Sequence, residues 1–190
     1  MPEKVVNAQR YAQGLTYEDY LKQTGDNRSK FDEHFTAFKL AAADAKDFKD
    51  LVKKAGSIKA IVIGEDWCPD VQRGLPIMAK IAEASGMDLR FFPRDKNPDV
   101  MNLYLKEGKY MSIPVIAFLD KDFNPLCHFI ERPVAAYKAM DELTAQLSKQ
   151  KLSEEEMRKL RREHSLPLTD MFRQETVKEL KEMLTASLKK

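Results

Sequence analysis

Between residues 59 and 149, four short apolar runs alternate with stretches of helical periodicity, and that order leaves few folds open. Lys59-Ala-Ile-Val-Ile63 is continuous, β-branched and short, the pattern of a strand buried on both faces. Val71, Leu75, Met78 and Ala82, joined by Ile81, then keep helical spacing as far as Gly86, a residue suited to ending a helix. Leu89-Arg-Phe-Phe92 reads as a second strand. Asn97-Pro98 predicts an N-cap followed by a first-turn proline, with Gly108 closing that helix. Ile113–Leu119 and Leu126–Ile130 read as two further strands around a turn at Lys121-Asp-Phe-Asn124. Pro133 opens a helix whose inner side is expected to carry Val134, Tyr137, Met140, Leu143 and Leu147. The order is β-α-β-α-β-β-α. Strands joined by helices are expected to run parallel through crossovers, and the last two, joined by a short turn, antiparallel. The expected class is α/β, a mixed four-stranded sheet with helices on both faces.

The flanks carry helix signals. Thr16 with Asp19 can cap a short helix, and Gly25-Asp-Asn27 reads as a turn. Ser29 with Asp32 opens a helix with Phe31, Phe35 and Phe38 on one face, and a second piece follows Asp47 with Phe48, Leu51 and Val52. Beyond the last predicted strand and helix, Ser153 and Glu156 form a capping box. Pro167 interrupts, and Thr169 starts a final helix with Val177, Leu180, Leu184 and Leu188. The expected organisation is an N-terminal helical extension (1–45), a central α/β domain (46–150) and a C-terminal helical appendage (151–190).

Composition narrows the function. Lys+Arg number 32 against 30 Asp+Glu, so the chain lacks the basic footprint of a nucleic-acid binder. No apolar run approaches the ~18 residues of a membrane span, and MPEKVVNAQRYAQGL has no signal-peptide core. Two cysteines cannot build a disulfide framework, which makes a cytoplasmic, reducing location the expectation. No GxGxxG, Walker or Gly-x-Ser-x-Gly pattern is present. His34, His128 and His164 are scattered, and the adjacent Cys127 and His128 would point to opposite sheet faces. No metal site and no cofactor is expected.

Cys68 carries the chemistry. It lies between the first strand and its helix, where unpaired backbone N–H groups favour a thiolate, the form that attacks disulfides. The competing reading is a small buried hydrophobe. Glu65, Asp66 and Asp70 would raise its pKa if they face it. Asp70 also suits the first turn of a helix as a partner of the dipole. Arg94, after the second strand, is placed either to face Cys68 and lower its pKa or to pair with Asp95 or an acidic loop residue. Cys127 is the other internal thiol, and a bridge to it needs Cα atoms within ~7 Å.

Trp67-Cys68-Pro69-Asp70 after Ile61-Val-Ile63 resembles the Trp-Cys-x-x-Cys turn of thioredoxins. Pro76 stands where that family kinks its active-site helix, and Ile113-Pro114-Val115 is similar to its Ile-Pro-Thr segment. The wording Glu-Asp-Trp-Cys-Pro-Asp-Val, then Leu-Pro and Phe-Pro-Arg-Asp-Lys-Asn-Pro, looks like a bacterial branch of thioredoxin-like proteins. The resemblance spans about residues 45–149 and implies a thioredoxin-like fold, a cis Pro114, and a groove in which Trp67, Pro69, Ile113 and Pro114 meet an extended substrate. Purely structural roles for Trp67 and Pro114 are the alternative. The chain departs from the pattern twice: Val71 replaces the resolving cysteine, and Val62 stands where many thioredoxins bury an acid. Intramolecular turnover is therefore closed. The resemblance implies exchange through Cys68 alone, with a disulfide-containing protein or a low-molecular-weight thiol as partner. A non-catalytic peptide-binding module and a redox sensor are the alternatives.

Overall fold

Short capped helices lead into the sheet. In the computed structural model, which describes residues 4–189, α1 (Ala8–Ala12) and α2 (Tyr17–Leu21) are single turns. Each is capped by the side chain before it, Asn7 accepting from Arg10 N and Thr16 from Asp19 N. A 3₁₀ turn at Gly25–Asn27 leads to α3 (Arg28–Ala37) and α4 (Ala42–Ala55). Asp32 pairs with Arg28 along α3 rather than capping it, and α4 begins well before Asp47. There follow β1 (Lys59–Gly64), α5 (Pro69–Ser85), β2 (Asp88–Pro93), α6 (Pro98–Met101), β3 (Val115–Leu119) and β4 (Pro125–Ile130). The chain ends in α7 (Val134–Leu147), α8 (Glu154–Ser165) and α9 (Thr169–Ser187).

The four strands form one mixed sheet in the order β2-β1-β3-β4, flanked by helices. β1 and β2 are parallel, with Val62 opposite Phe91. The expectation of a parallel third strand is overturned: β3 runs antiparallel to β1, with Ile63 opposite Val115, and β4 antiparallel to β3. The connection between β2 and β3 also differs from expectation. The helix expected to reach Gly108 stops at Met101, and the backbone turns left-handed at Glu107 and Gly108 (φ 54° and 69°). A one-turn helix rises only ~6 Å at ~1.5 Å per residue. β3 enters the sheet from the edge at which β2 leaves it. Asn97 does not cap α6 through its side chain, which donates instead to Pro93 O at 2.6 Å.

Side chains on β1 alternate between the two layers. A Cβ on Gly64 would fall 2.6 Å from Val71 of α5, so Gly64 and Val62 face α5. Phe91 shares that face and carries Tyr20, which in turn meets Phe31 of α3 edge-on. On the other face Arg10 lies over Phe92 and binds Asp99 of α6 through two 2.8 Å contacts.

The last helix enters the core. Val177, Leu180 and Leu184 are buried in the same cluster as the sheet residues, and α9 packs on β4, α4 and α5. Lys181 adds ion pairs to Asp44 and Asp47 at 2.7 and 2.9 Å. Those pairs are partly exposed and contribute at most about 1 kcal/mol, whereas a buried leucine contributes roughly 1.5–3 kcal/mol. Apolar contact therefore holds α9. By contrast α7 packs mainly on α8 and α9, and Val134, expected inside, is 71% exposed.

Leu180→Ala is expected to lower unfolding free energy by about 2–5 kcal/mol in chemical denaturation, and Lys181→Ala by under about 1 kcal/mol. A near-zero cost for Leu180→Ala would mean that the terminal helix stands apart from the core.

Candidate active site

The chain leaves β1 at Gly64, turns through Glu65-Asp66-Trp67, and enters α5 with Cys68 as its N-cap and Pro69 in the first turn. The turn is fixed from several sides. Cys68 N donates to Glu65 O at 3.1 Å, and Gln72 Nε2 to Asp66 O at 2.7 Å. The Asp66 carboxylate accepts from Asn27 Nδ2 at 2.9 Å, and the Glu65 carboxylate from Asp95 N at 2.7 Å. Both acids are thus engaged away from the cysteine.

Cys68 is 8% exposed, and its thiol donates to Ile113 O with Sγ···O 3.8 Å. The Ile113–Pro114 peptide is cis. Pro114 packs on α5 at Gly74, where a Cβ would come 3.3 Å from the proline ring. Pro114 O accepts from Glu131 N at 2.7 Å, with Glu131 at φ 70°. Two strand reversals thus bring the start of β3 and the end of β4 to the edge that holds Cys68.

Trp67 is 55% exposed and lies under the Arg94 guanidinium at 5.3 Å. With exposed Tyr110 and Met111 it supplies large apolar surface on the loops at this edge, and Pro69 is also exposed. Arg94 pairs with Asp95 at 2.8 Å and reaches Met111 O at 3.5 Å. Of the two placements open to Arg94 in the sequence, the pairing with Asp95 is therefore the one found.

The cation acting on Cys68 is Arg132. Asp70 is clasped between Arg73 and Arg132, the latter at 2.6 Å. Arg132 also lies over Tyr137 at 5.5 Å, and Lys106 Nζ donates at 2.8 Å to both Glu131 and the Tyr137 hydroxyl. Burial pushes the Cys68 thiol above its ordinary pKa. The backbone N–H groups of Val71 and Asp70 oppose that rise, Asp70's charge adds to it, and Arg132 offsets part of it. At neutral pH the resting sulfur is a thiol.

Cys127 is not within reach. Its place in β4 is opposite Phe118, three residues along β3 from Val115, or ~10 Å at ~3.3 Å per residue. That exceeds the ~7 Å a disulfide allows between Cα atoms. Burial raises its thiol to about 11, with Ser187 of α9 opposing. Among the described residues no group of three or more His, Cys, Asp or Glu side chains is placed to hold a metal ion.

The electrostatics carry a testable sign. Asp70→Asn removes the negative charge that raises the thiol and frees two guanidinium groups, so it is expected to lower the Cys68 pKa and speed alkylation at pH 7.5 about threefold to tenfold. Arg132→Gln is expected to slow it. Both rates are read in a Cys127→Ser background, and equal rates in the two variants would remove this pair from the control of Cys68.

A family model described as "Thioredoxin" matches residues 14–148. No curated protein matches the chain. Among solved structures, a protein of unknown function from Pseudomonas aeruginosa is similar, with a TM-score of 0.69 at 14% identity over 96% of this chain and 99% of that one. An HIV epitope-scaffold is similar with a TM-score of 0.62 at 15% identity, over 94% and 97%. At these identities the two structures speak for the fold alone. That family model covers well over half of the chain, and the chain belongs to the thioredoxin family it describes.

Proposed function

We propose that the protein performs thiol–disulfide exchange through Cys68 alone, in a reducing cytoplasm, with release by an external thiol. The observation that carries this reading is the position of Cys68 Sγ at the N-terminus of α5, where the N–H groups of Asp70 and Val71 favour its anion. Cys68 loses its proton to solvent, and the thiolate attacks a substrate disulfide R–S–S–R′. A Cys68–S–S–R bond forms while R′–S⁻ leaves and takes up a proton. A thiolate R″–S⁻ then attacks the substrate sulfur, giving R–S–S–R″ and returning the Cys68 thiolate. Val71 has no thiol for the internal alternative. Exposed Trp67 and Pro69 supply the substrate-binding surface, the backbone of Ile113 lies at its edge with the Ile113 and Pro114 side chains buried, Asp70 tunes the sulfur, and no cofactor takes part.

The raised thiol sets the pH dependence. Each pH unit below its pKa cuts the thiolate fraction about tenfold, so exchange is slow at pH 7 and climbs through pH 9. A second reading is favoured by the same burial: a silent thiol beneath a peptide-gripping surface of Trp67, Tyr110 and Met111.

Cys127→Ser protein, incubated with a small aromatic disulfide, is expected to accumulate one equivalent of mixed disulfide on Cys68. The rate should rise close to tenfold between pH 7 and pH 8, and excess thiol should reverse the adduct. Absence of any adduct in the folded protein at pH 9 would end the exchange reading and leave the binding module. Trp67→Ala is expected to weaken capture of a disulfide-bearing peptide severalfold while leaving the alkylation pH profile of Cys68 in place.

A further inference from the structure

At the end of β4 the chain makes a tight turn about Glu131. Arg132 N donates to Ile130 O at 2.9 Å, and Glu131 between them stands at φ 70°. This is the rarer, strained kind of γ-turn, in a region of backbone that glycine adopts at least cost. A glycine would also keep the 2.7 Å bond to Pro114 O, which comes from the backbone N–H. What the glutamate adds is its carboxylate. One oxygen accepts from Lys106 Nζ and from the Tyr137 hydroxyl, both at 2.8 Å, and the other meets Arg132 at 3.2 Å. Burial works against that charge, but the two donors and Arg132 more than offset it and hold the carboxyl below its usual range.

Lys106 carries the tie toward the substrate surface. Its N–H donates to Tyr110 O at 2.9 Å and its carbonyl accepts from Tyr110 N at 3.0 Å, closing a small hairpin with left-handed backbone at Glu107 and Gly108. The hairpin presents Tyr110, 58% exposed, and leads through exposed Met111 to Ile113, whose carbonyl meets Cys68. On its other side Met111 O accepts from Arg94, which lies over Trp67. We propose that Glu131 is a positioning residue for substrate: its backbone fixes Pro114, its carboxylate fixes the Lys106 hairpin, and together they hold Tyr110 and Met111 across Arg94 from Trp67 to receive an extended peptide. The inference rests on the reading of this edge as a substrate-binding surface around Cys68. Glu131 acts through Lys106 and Pro114 and takes no part in the chemistry at the sulfur.

The experiment labels Cys68 at pH 9 in the Cys127→Ser protein with two reagents, iodoacetamide and a chloroacetyl peptide carrying leucine beside the reactive group. The ratio of the two rates, taken relative to the same ratio in the urea-unfolded chain, cancels any change in the thiolate itself. The parent is expected to favour the peptide. Glu131→Gly and Lys106→Met are each expected to cut that preference about threefold. The double variant should be no worse than either single one, because both remove the same tie. Denaturation midpoints are read alongside. An unchanged preference in either single variant overturns the proposal, and so do additive losses in the double. A lower midpoint with the preference intact assigns Glu131 a purely structural role. A Cys68 that neither reagent labels overturns the proposal together with the exchange reading. Mixed-disulfide formation is assayed separately with the small aromatic disulfide: failure there, with the preference present in the parent and lost in the variants, ends exchange alone and sustains the positioning role.

Discussion

The reversal of β3 governs the site. After β2 the chain re-enters the sheet from the edge at which β2 ends. That reverses β3, and the tight turn after β3 reverses the chain again, which sets β4 in the direction of β1. Three consequences meet at one edge. Gly64 delivers the chain to Cys68, the start of β3 delivers Ile113 and Pro114, and the end of β4 delivers Glu131 and Arg132. Had β3 run parallel to β1, Pro114 would lie at the far end of the sheet and Arg132 would point away from Asp70.

Cys68 sits between opposed effects of similar kind. Removing the sulfur from water disfavours its anion, while the helix N-terminus favours it. Asp70 lies in the first turn of α5, a good place for a carboxylate with respect to the dipole but a poor one for a neighbouring thiolate. Arg73 and Arg132 hold that carboxylate in place and offset its charge. The outcome is a resting thiol with charge-stabilising groups already arranged around it.

The strand–turn–helix unit was legible because its signals are local. The β-branched run, the helical spacing after Cys68 and the glycine at its end each report on a few neighbouring residues, and all three elements stand where they point. The cis proline was legible through resemblance, and Thr16 and Ser153 cap as their patterns indicate. The direction of β3 was not legible. Asn97-Pro98 is a good helix start whatever the helix length, and the left-handed backbone that breaks the segment falls partly on Glu107, a residue type that rarely signals it. Arg132 was lost with that misplacement, since a parallel β3 puts it at the wrong edge. Arg94 was placed at the correct edge, but its adjacent carboxylate, Asp95, competes for it at no cost in chain ordering.

Both ends of the chain also bear on the site, through contacts that no local pattern encodes. From the N-terminal side, Asn27 holds the Asp66 carboxylate and Tyr20 packs on Phe91 of β2. From the C-terminal side, Phe172 of α9 lies 5.3 Å from the Arg73 guanidinium, and Arg73 holds Asp70. Arg173, next along α9, meets His34 of α3 at 2.7 Å. Burial and the nearby guanidinium groups depress that imidazole to about 4, so it accepts the bond as a neutral ring. Phe172 of α9 and Asp70 of α5 thus meet on the same Arg73 side chain. The terminal helices thus supply side chains that contact the charged groups lying around the thiol.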